Sequence, residues 1–205
     1  MTLDPLAFRD VLGRFASGVT VVSTVHGGLD HAMTASAFSS VSMDPPLVAV
    51  FVDRRARFHD AVVASRLWAV SILAESGQDA ATWFALRGRP EVGHFDRVDH
   101  VRGESTGAPL VQHAIGWLEC RTWAEYDGGD HLILVGRVVA ARVQPDDAEP
   151  GLEGWDRPLL YHRSHYGALL RSSADERSQV ALRAAIIEDG AYEGGHRESG
   201  ADQRG

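Results

Sequence analysis

Between His31 and Val50 the chain sets Thr34, Ser36, Ser39, Ser40 and Ser42 among small residues, then a Pro45-Pro46 step and an apolar run. Each hydroxyl can donate and accept hydrogen bonds, and small side chains let a ligand come close to the backbone. This composition suits a docking site for a ligand rich in oxygen and nitrogen, although an ordinary Ser/Thr turn before the next strand has the same composition. Arg54-Arg55-Ala56-Arg57 follows the apolar run. Guanidinium forks match phosphate and pyrophosphate, with a solvated turn as the competing reading. Gly129-Asp130-His131 opens a later apolar run, where a carboxylate can orient an imidazole toward a ligand.

Other spacings carry less chemistry. Gly103-Glu104-Ser105-Thr106-Gly107 has the form of a hydrolase nucleophile turn. Its neighbours are polar and Ala108-Pro109 starts no helix, so a loop is expected. His59, His94, His100, His113 and His162-Arg163-Ser164-His165 show no metal-ligand spacing and are expected to be surface or satisfied residues. No phosphate-binding loop or strand-linked glycine fingerprint occurs, so a nicotinamide, if used, must bind by another geometry.

The elements that must position these groups follow from periodicity. Asp4-Pro5 caps an apolar stripe of Leu6, Phe8, Val11, Leu12 and Phe15, which predicts a helix ended by Gly18. Val19–Val25 and His31–Phe38 read as the arms of a hairpin, and Leu47–Val52 as a buried strand. Arg57–Ser65 and Ser76–Leu86 read as helices flanking a strand at Leu67–Leu73. Residues 88–108 form a long connection able to cover a site. Ile115–Tyr126 and His131–Val143 are long strands joined at Asp127-Gly128-Gly129-Asp130. Leu159–His162 and Tyr166–Leu170 supply the last ordered segment before a short helix around Val180–Ile187 and a disordered end from Gly190. Strands separated by turns, with few helices and no βαβ rhythm, predict a closed or partly closed antiparallel barrel.

Composition bounds the partners. At 205 residues with 44% hydrophobic and 23% charged residues, one globular domain is expected. A net charge of -8 argues against a nucleic-acid partner. The single cysteine, the lack of an apolar leader and the lack of a long apolar run point to a cytoplasmic protein outside the membrane.

Taken together, Phe8–Val22, Thr34–Val50, Trp68–Leu73, Gly129-Asp130-His131 with Val135-Gly136-Arg137-Val138, and Pro158–Tyr166 resemble, in order, the short-chain flavin reductase family. These are the reductase partners of two-component flavin-dependent monooxygenases. The resemblance implies a mainly β fold with α, a split antiparallel β-barrel of the FMN-binding type with a few flanking helices. It also implies FMN or FAD as the flavin, NADH or NADPH as electron donor, a homodimer with flavin near the subunit interface, and a monooxygenase partner.

The family's T-A-x-S-F segment corresponds to Thr34-Ala35-Ser36-Ala37-Phe38, with Ala37 where a serine is usual. Its S-V-S-x-x-P-P segment gives Ser40, Val41 and Ser42 near the flavin. Arg55 and Arg57 stand where the family commonly has Ser or Thr for the flavin phosphate, and Asp130 and His131 of the GDH motif are associated with the reduced nicotinamide. The implied site is therefore Thr34, Ala35, Ser36, Ser40, Val41, Ser42, Arg55, Arg57, Asp130 and His131, with no catalytic nucleophile and no metal. Its chemistry is hydride transfer from nicotinamide C4 to flavin N5, for which the protein positions two rings and tunes the charge around them.

The domain is expected over residues 1–170, with residues 171–205 a partly disordered extension. One rival is a flavin-retaining oxidase or redox subunit of a biosynthetic pathway on the same fold. The other is a non-enzymatic flavin- or haem-binding barrel.

Overall fold

The β-branched run at Val19–Val25 becomes an inner strand because both of its faces are covered. In the computed structural model, which describes residues 3–90, 92–144 and 157–169, β1 (Ser17–Gly18) and β2 (Thr20–His26) follow helix α1 (Pro5–Gly13). Then come β3 (Leu29–Ala35), β4 (Phe38–Met43), β5 (Pro46–Asp53), α2 (Arg57–Ser65), β6 (Leu67–Leu73) and α3 (Gln78–Ala85). The remaining strands are β7 (His100–Arg102), β8 (Pro109–Val111), β9 (Ala114–Gly128), β10 (His131–Val143), β11 (Leu159–His162) and β12 (His165–Ala168). The expected features beyond residue 170 lie outside the described residues.

Seven strands form one antiparallel sheet in the order β3-β2-β6-β9-β10-β5-β4. β3 and β4 are its two outer strands, yet only Ser36 and Ala37 separate them in the chain. Three Cα steps reach at most about 11 Å. The sheet must therefore curl until its edges meet, and with no β3–β4 ladder the result is a barrel split along one seam. The barrel expectation thus holds, and chain connectivity enforces it.

Two cores fill this frame. Val22, Val50, Val52, Trp68, Val70, Leu132 and Leu134 pack with Phe58 and Val62 of α2. Val19, Val21, Leu73, Trp117 and Leu159 pack with Ala80, Ala81 and Phe84 of α3. Val21 and Val22 fall in different cores, as strand alternation requires. Trp68 is fully buried and donates its indole N–H to Thr122 Oγ1 at 3.3 Å. Gly136 leaves room for that indole, which a Cβ there would strike. Cys120 lies in the same core, and burial, with the Glu119 carboxylate adding to it, pushes its thiol up to about 12.

Three elements differ from expectation. Helix α1 stops at Gly13, while Gly18 pairs with Leu160 in a small sheet of β1, β11 and β12. The Asp4 side chain accepts from the Leu6 N–H at 3.0 Å as a cap should, but no α1 residue is buried. The connection around residues 88–108 contains β7, which pairs with β8. Between them Glu119 Oε2 accepts hydrogen bonds from the Ser105 N–H at 2.9 Å and from the Thr106 N–H and Oγ1 at 2.7 Å. Gly103 has no space for a Cβ against that carboxylate. The Gly103–Gly107 segment is a clamped loop, as its flanks predicted.

Candidate functional site

Where the seam opens, it forms a cleft of about 500 Å³. One wall is the end of β3 and the seam itself, with His31, Ala32, Met33, Thr34, Ala35, Ser36 and Ala37. The second comes from the end of β5, the start of β10 and the start of α2, with Phe51, Asp53, Arg55, Ala56, Arg57 and His131. The third is the end of α3 and the segment after it, with Phe84, Arg87, Arg89 and His94.

The cleft is cationic in an acidic chain: four arginines and three histidines face one carboxylate, Asp53. Arg55 grips that carboxylate with Nε at 3.2 Å, Nη2 at 3.1 Å and its main-chain N–H at 2.9 Å. These bonds hold the Asp53 carboxyl down at about 2. Arg57 Nη2 donates to the Arg89 carbonyl at 2.6 Å. Arg89 in turn donates to the carbonyls of Trp83 at 2.9 Å and Ala32 at 2.8 Å, tying α3 to β3. Burial, with the nearby Arg57 adding to it, lowers the Arg89 pKa. Helix α2 begins after Ala56, which offers no side-chain oxygen to its first amides. Those amides sit beside Arg55 and Arg57, an arrangement suited to an anion.

His94 is 5% exposed, and its Nε2 lies 2.5 Å from the Pro90 carbonyl. Its Nδ1 is buried without a hydrogen-bond partner among the described residues. Burial lowers its pKa, so the neutral ring is the favoured form. His131 Nδ1 is 2.7 Å from Asp130 Oδ1, and this bond pulls the Asp130 carboxyl below its ordinary value. Across the sheet His131 is paired with Asp53. Arg54 turns away from the cleft toward the β9–β10 hairpin, donating to Asp127 Oδ1 at 2.7 Å and the Gly129 carbonyl at 3.2 Å.

The family model of the flavin reductase like domain matches residues 12–170. The chain belongs to the flavin reductase like family. An NADH-dependent FAD reductase of Streptomyces globisporus is 45% identical over 143 residues, 69% of this chain and 78% of that protein. The reductase component of 4-hydroxyphenylacetate 3-monooxygenase from Thermus thermophilus is 38% identical over 164 residues, 80% of this chain and 96% of its own. Among solved structures, an NADH:FAD oxidoreductase of Streptomyces globisporus C-1027 in complex with NAD and FAD fragments matches with a TM-score of 0.73 at 34% identity. That match covers 84% of this chain and 99% of the other.

In this flavin reductase like domain the structure gathers Thr34, Ala35, Ser36, Arg55, Arg57 and His131 around the cleft, with Asp130 bonded to His131. Thr34 does so with its hydroxyl already engaged, donating to the Ala81 carbonyl at 2.6 Å and bracing α3. Ser40, Val41 and Ser42 lie on β4, outside the cleft lining. Sequence reasoning missed Phe51, Asp53, Arg87, Arg89 and His94. The Arg87-Gly88-Arg89-Pro90 run after an apolar helix was the available signal, a second basic cluster in an acidic chain.

Proposed function

We propose that this protein oxidises NADH to reduce a free flavin, FAD in preference to FMN, and passes the reduced flavin to a partner monooxygenase. The observation that carries this reading is the start of α2, uncapped by a side chain and flanked by Arg55 and Arg57, opening onto a seam of small residues. The cleft fits a flavin. The Ala32–Ala37 backbone lets a flat ring approach, exposed Phe51 offers it an apolar face, and the α2 amides with the guanidinium groups suit a phosphate tail. The NADH and FAD preferences follow the names of the Streptomyces globisporus relatives, and the monooxygenase partner that of the Thermus thermophilus relative.

When both are bound, the flavin and nicotinamide supply hydride chemistry between them. The chain's own residues bind and orient. Ser36 and the main chain of Thr34 and Ala35 hold the ring and ribityl end. Arg55 and Arg57 balance phosphate charge, and Asp130 fixes the imidazole of His131 where the nicotinamide side of the cleft opens. No side chain acts as nucleophile.

The working unit in this reading is a homodimer in the cytoplasm, built on a reductase domain over residues 1–170. Phe51 of the cleft is 38% exposed, Val41 and Met43 of the β4 edge are 52% and 87% exposed, and α1 presents Leu6, Val11 and Leu12 to solvent. A second copy packed on the β4 edge would cover Val41 and Met43 and add the Ser40–Ser42 segment to the dimer surface. The test is anaerobic oxidation of NADH and of NADPH with FAD, FMN and riboflavin added in turn. The expected result is turnover stimulated most by NADH with FAD. If no flavin stimulates turnover with either donor, the reading fails.

A further inference from the structure

Arg54 belongs to the same basic run as Arg55 and Arg57, yet it does not line the cleft. Its contacts all reach the hairpin tip that carries Asp130 and His131. The guanidinium donates through Nη2 to Asp127 Oδ1 at 2.7 Å and through Nε to the Gly129 carbonyl at 3.2 Å. The main-chain N–H of Arg54 donates to the Asp130 carbonyl at 3.1 Å. Among the described residues, no other side chain from outside the hairpin hydrogen-bonds to residues 127–130.

The tip needs such a tie. His131 pairs with Gly128, leaving Gly129 and Asp130 as a two-residue loop with Gly129 at φ +75°. The Asp130 side chain is 78% exposed and His131 41%, so neither is locked in place by burial. The Arg54–Asp127 pair is itself largely exposed, and such pairs add little to stability. What the fork fixes is position: it joins the end of β5 to the turn at two acceptors through one rigid plane, a preorganisation that a lysine on its flexible stem lacks.

We infer that Arg54 is a positioning residue for the nicotinamide donor, holding the Gly129-Asp130-His131 turn at the orientation in which His131 faces the cleft. This rests on the reading that Asp130 and His131 meet the nicotinamide. A group displaced by a fraction of an ångström loses much of its contribution to an oriented reaction, so loss of the fork falls on the donor and spares the flavin.

The test compares Arg54→Ala, Arg54→Lys, Asp127→Asn and His131→Ala in the full chain by steady-state kinetics, flavin titration and thermal melting. Arg54→Ala is expected to raise KM for NADH about tenfold while the flavin Kd stays within about twofold and the melting temperature holds. Arg54→Lys recovers part of the loss because it reaches one acceptor. Asp127→Asn reproduces part of it, and adding Asp127→Asn to Arg54→Ala makes KM no worse. If His131→Ala raises KM for NADH and neither Arg54→Ala nor Arg54→Lys does, the inference is overturned while the nicotinamide reading stands. An equal rise in flavin Kd in the Arg54 variants overturns it too, since Arg54 then serves the flavin. If His131→Ala leaves KM unchanged, the nicotinamide reading fails and the inference falls with it.

Discussion

Thr34–Ser36 and Ser40–Ser42 use the same small hydroxyl residues a few positions apart, yet they lie on opposite edges of a seven-stranded sheet. On β3 the side chain of Thr34 is braced against Ala81, and just past the strand Ser36 opens into the cleft. On β4 the ladder pairs Ser40 with Val48 and Ser42 with Leu47, skipping Val41, so the edge is bulged and Val41 and Met43 point to solvent. A bulged edge resists unplanned strand pairing while still offering apolar side chains to a chosen partner. The same hydroxyl composition therefore lines a cleft on one edge and sits on a bulged, solvent-facing strand on the other.

The hardest blow to this contrast falls on the cleft edge. Ser36→Trp puts an indole into the cleft and is expected to weaken flavin binding about a hundredfold or more, read by fluorescence titration, with little change in melting temperature. Met43→Asp on the other edge should leave the fold intact and shift the protein from dimer to monomer in light scattering, with turnover falling about tenfold at assay concentrations. A dimer that persists in Met43→Asp would show that β4 is merely a bulged edge. Ser42→Trp separates the two roles further: its effect on flavin affinity should follow the monomer fraction, unlike that of Ser36→Trp.

Two smaller effects concern the braces behind the cleft. Thr34→Val removes the donor to the Ala81 carbonyl and is expected to cost about 1–2 kcal/mol in urea unfolding. His94 has a folded pKa lowered from its ordinary 6.5 by burial. Its neutral form is favoured in the folded chain, so its stabilisation is complete above that value and is lost as pH falls below it, where the unfolded chain takes up the proton. His94→Gln should flatten the decline of the melting temperature between about pH 7 and pH 5 relative to the parent. An identical decline in both proteins would remove His94 as its source.

Much of the frame was legible because it rests on local rules. Asp4-Pro5 capped a helix, Gly129-Asp130 turned a hairpin, and the β-branched run at Val19–Val25 made an inner strand. The basic run and the GDH turn were legible as chemistry because each sets its charged or imidazole groups together directly beside an apolar strand. Long-range facts were hidden. Nothing local says that β3 and β4 end on opposite edges, that Arg54 turns from the cleft while Arg55 faces it, or that Arg89 crosses from α3 to the Ala32 carbonyl. Ladder register and sheet curl decide these points, and neither is written in the spacing of single residues.

The buried sulfur of Cys120 has a practical consequence. With its thiol held at about 12, roughly one molecule in 100,000 carries a thiolate at neutral pH. The chain has no other cysteine, so its native form is nearly silent toward maleimides. A cysteine introduced at Ser36 or at Met43 would then be the single reactive handle, and a dye attached there would report on the cleft or the β4 edge without background from the parent sequence.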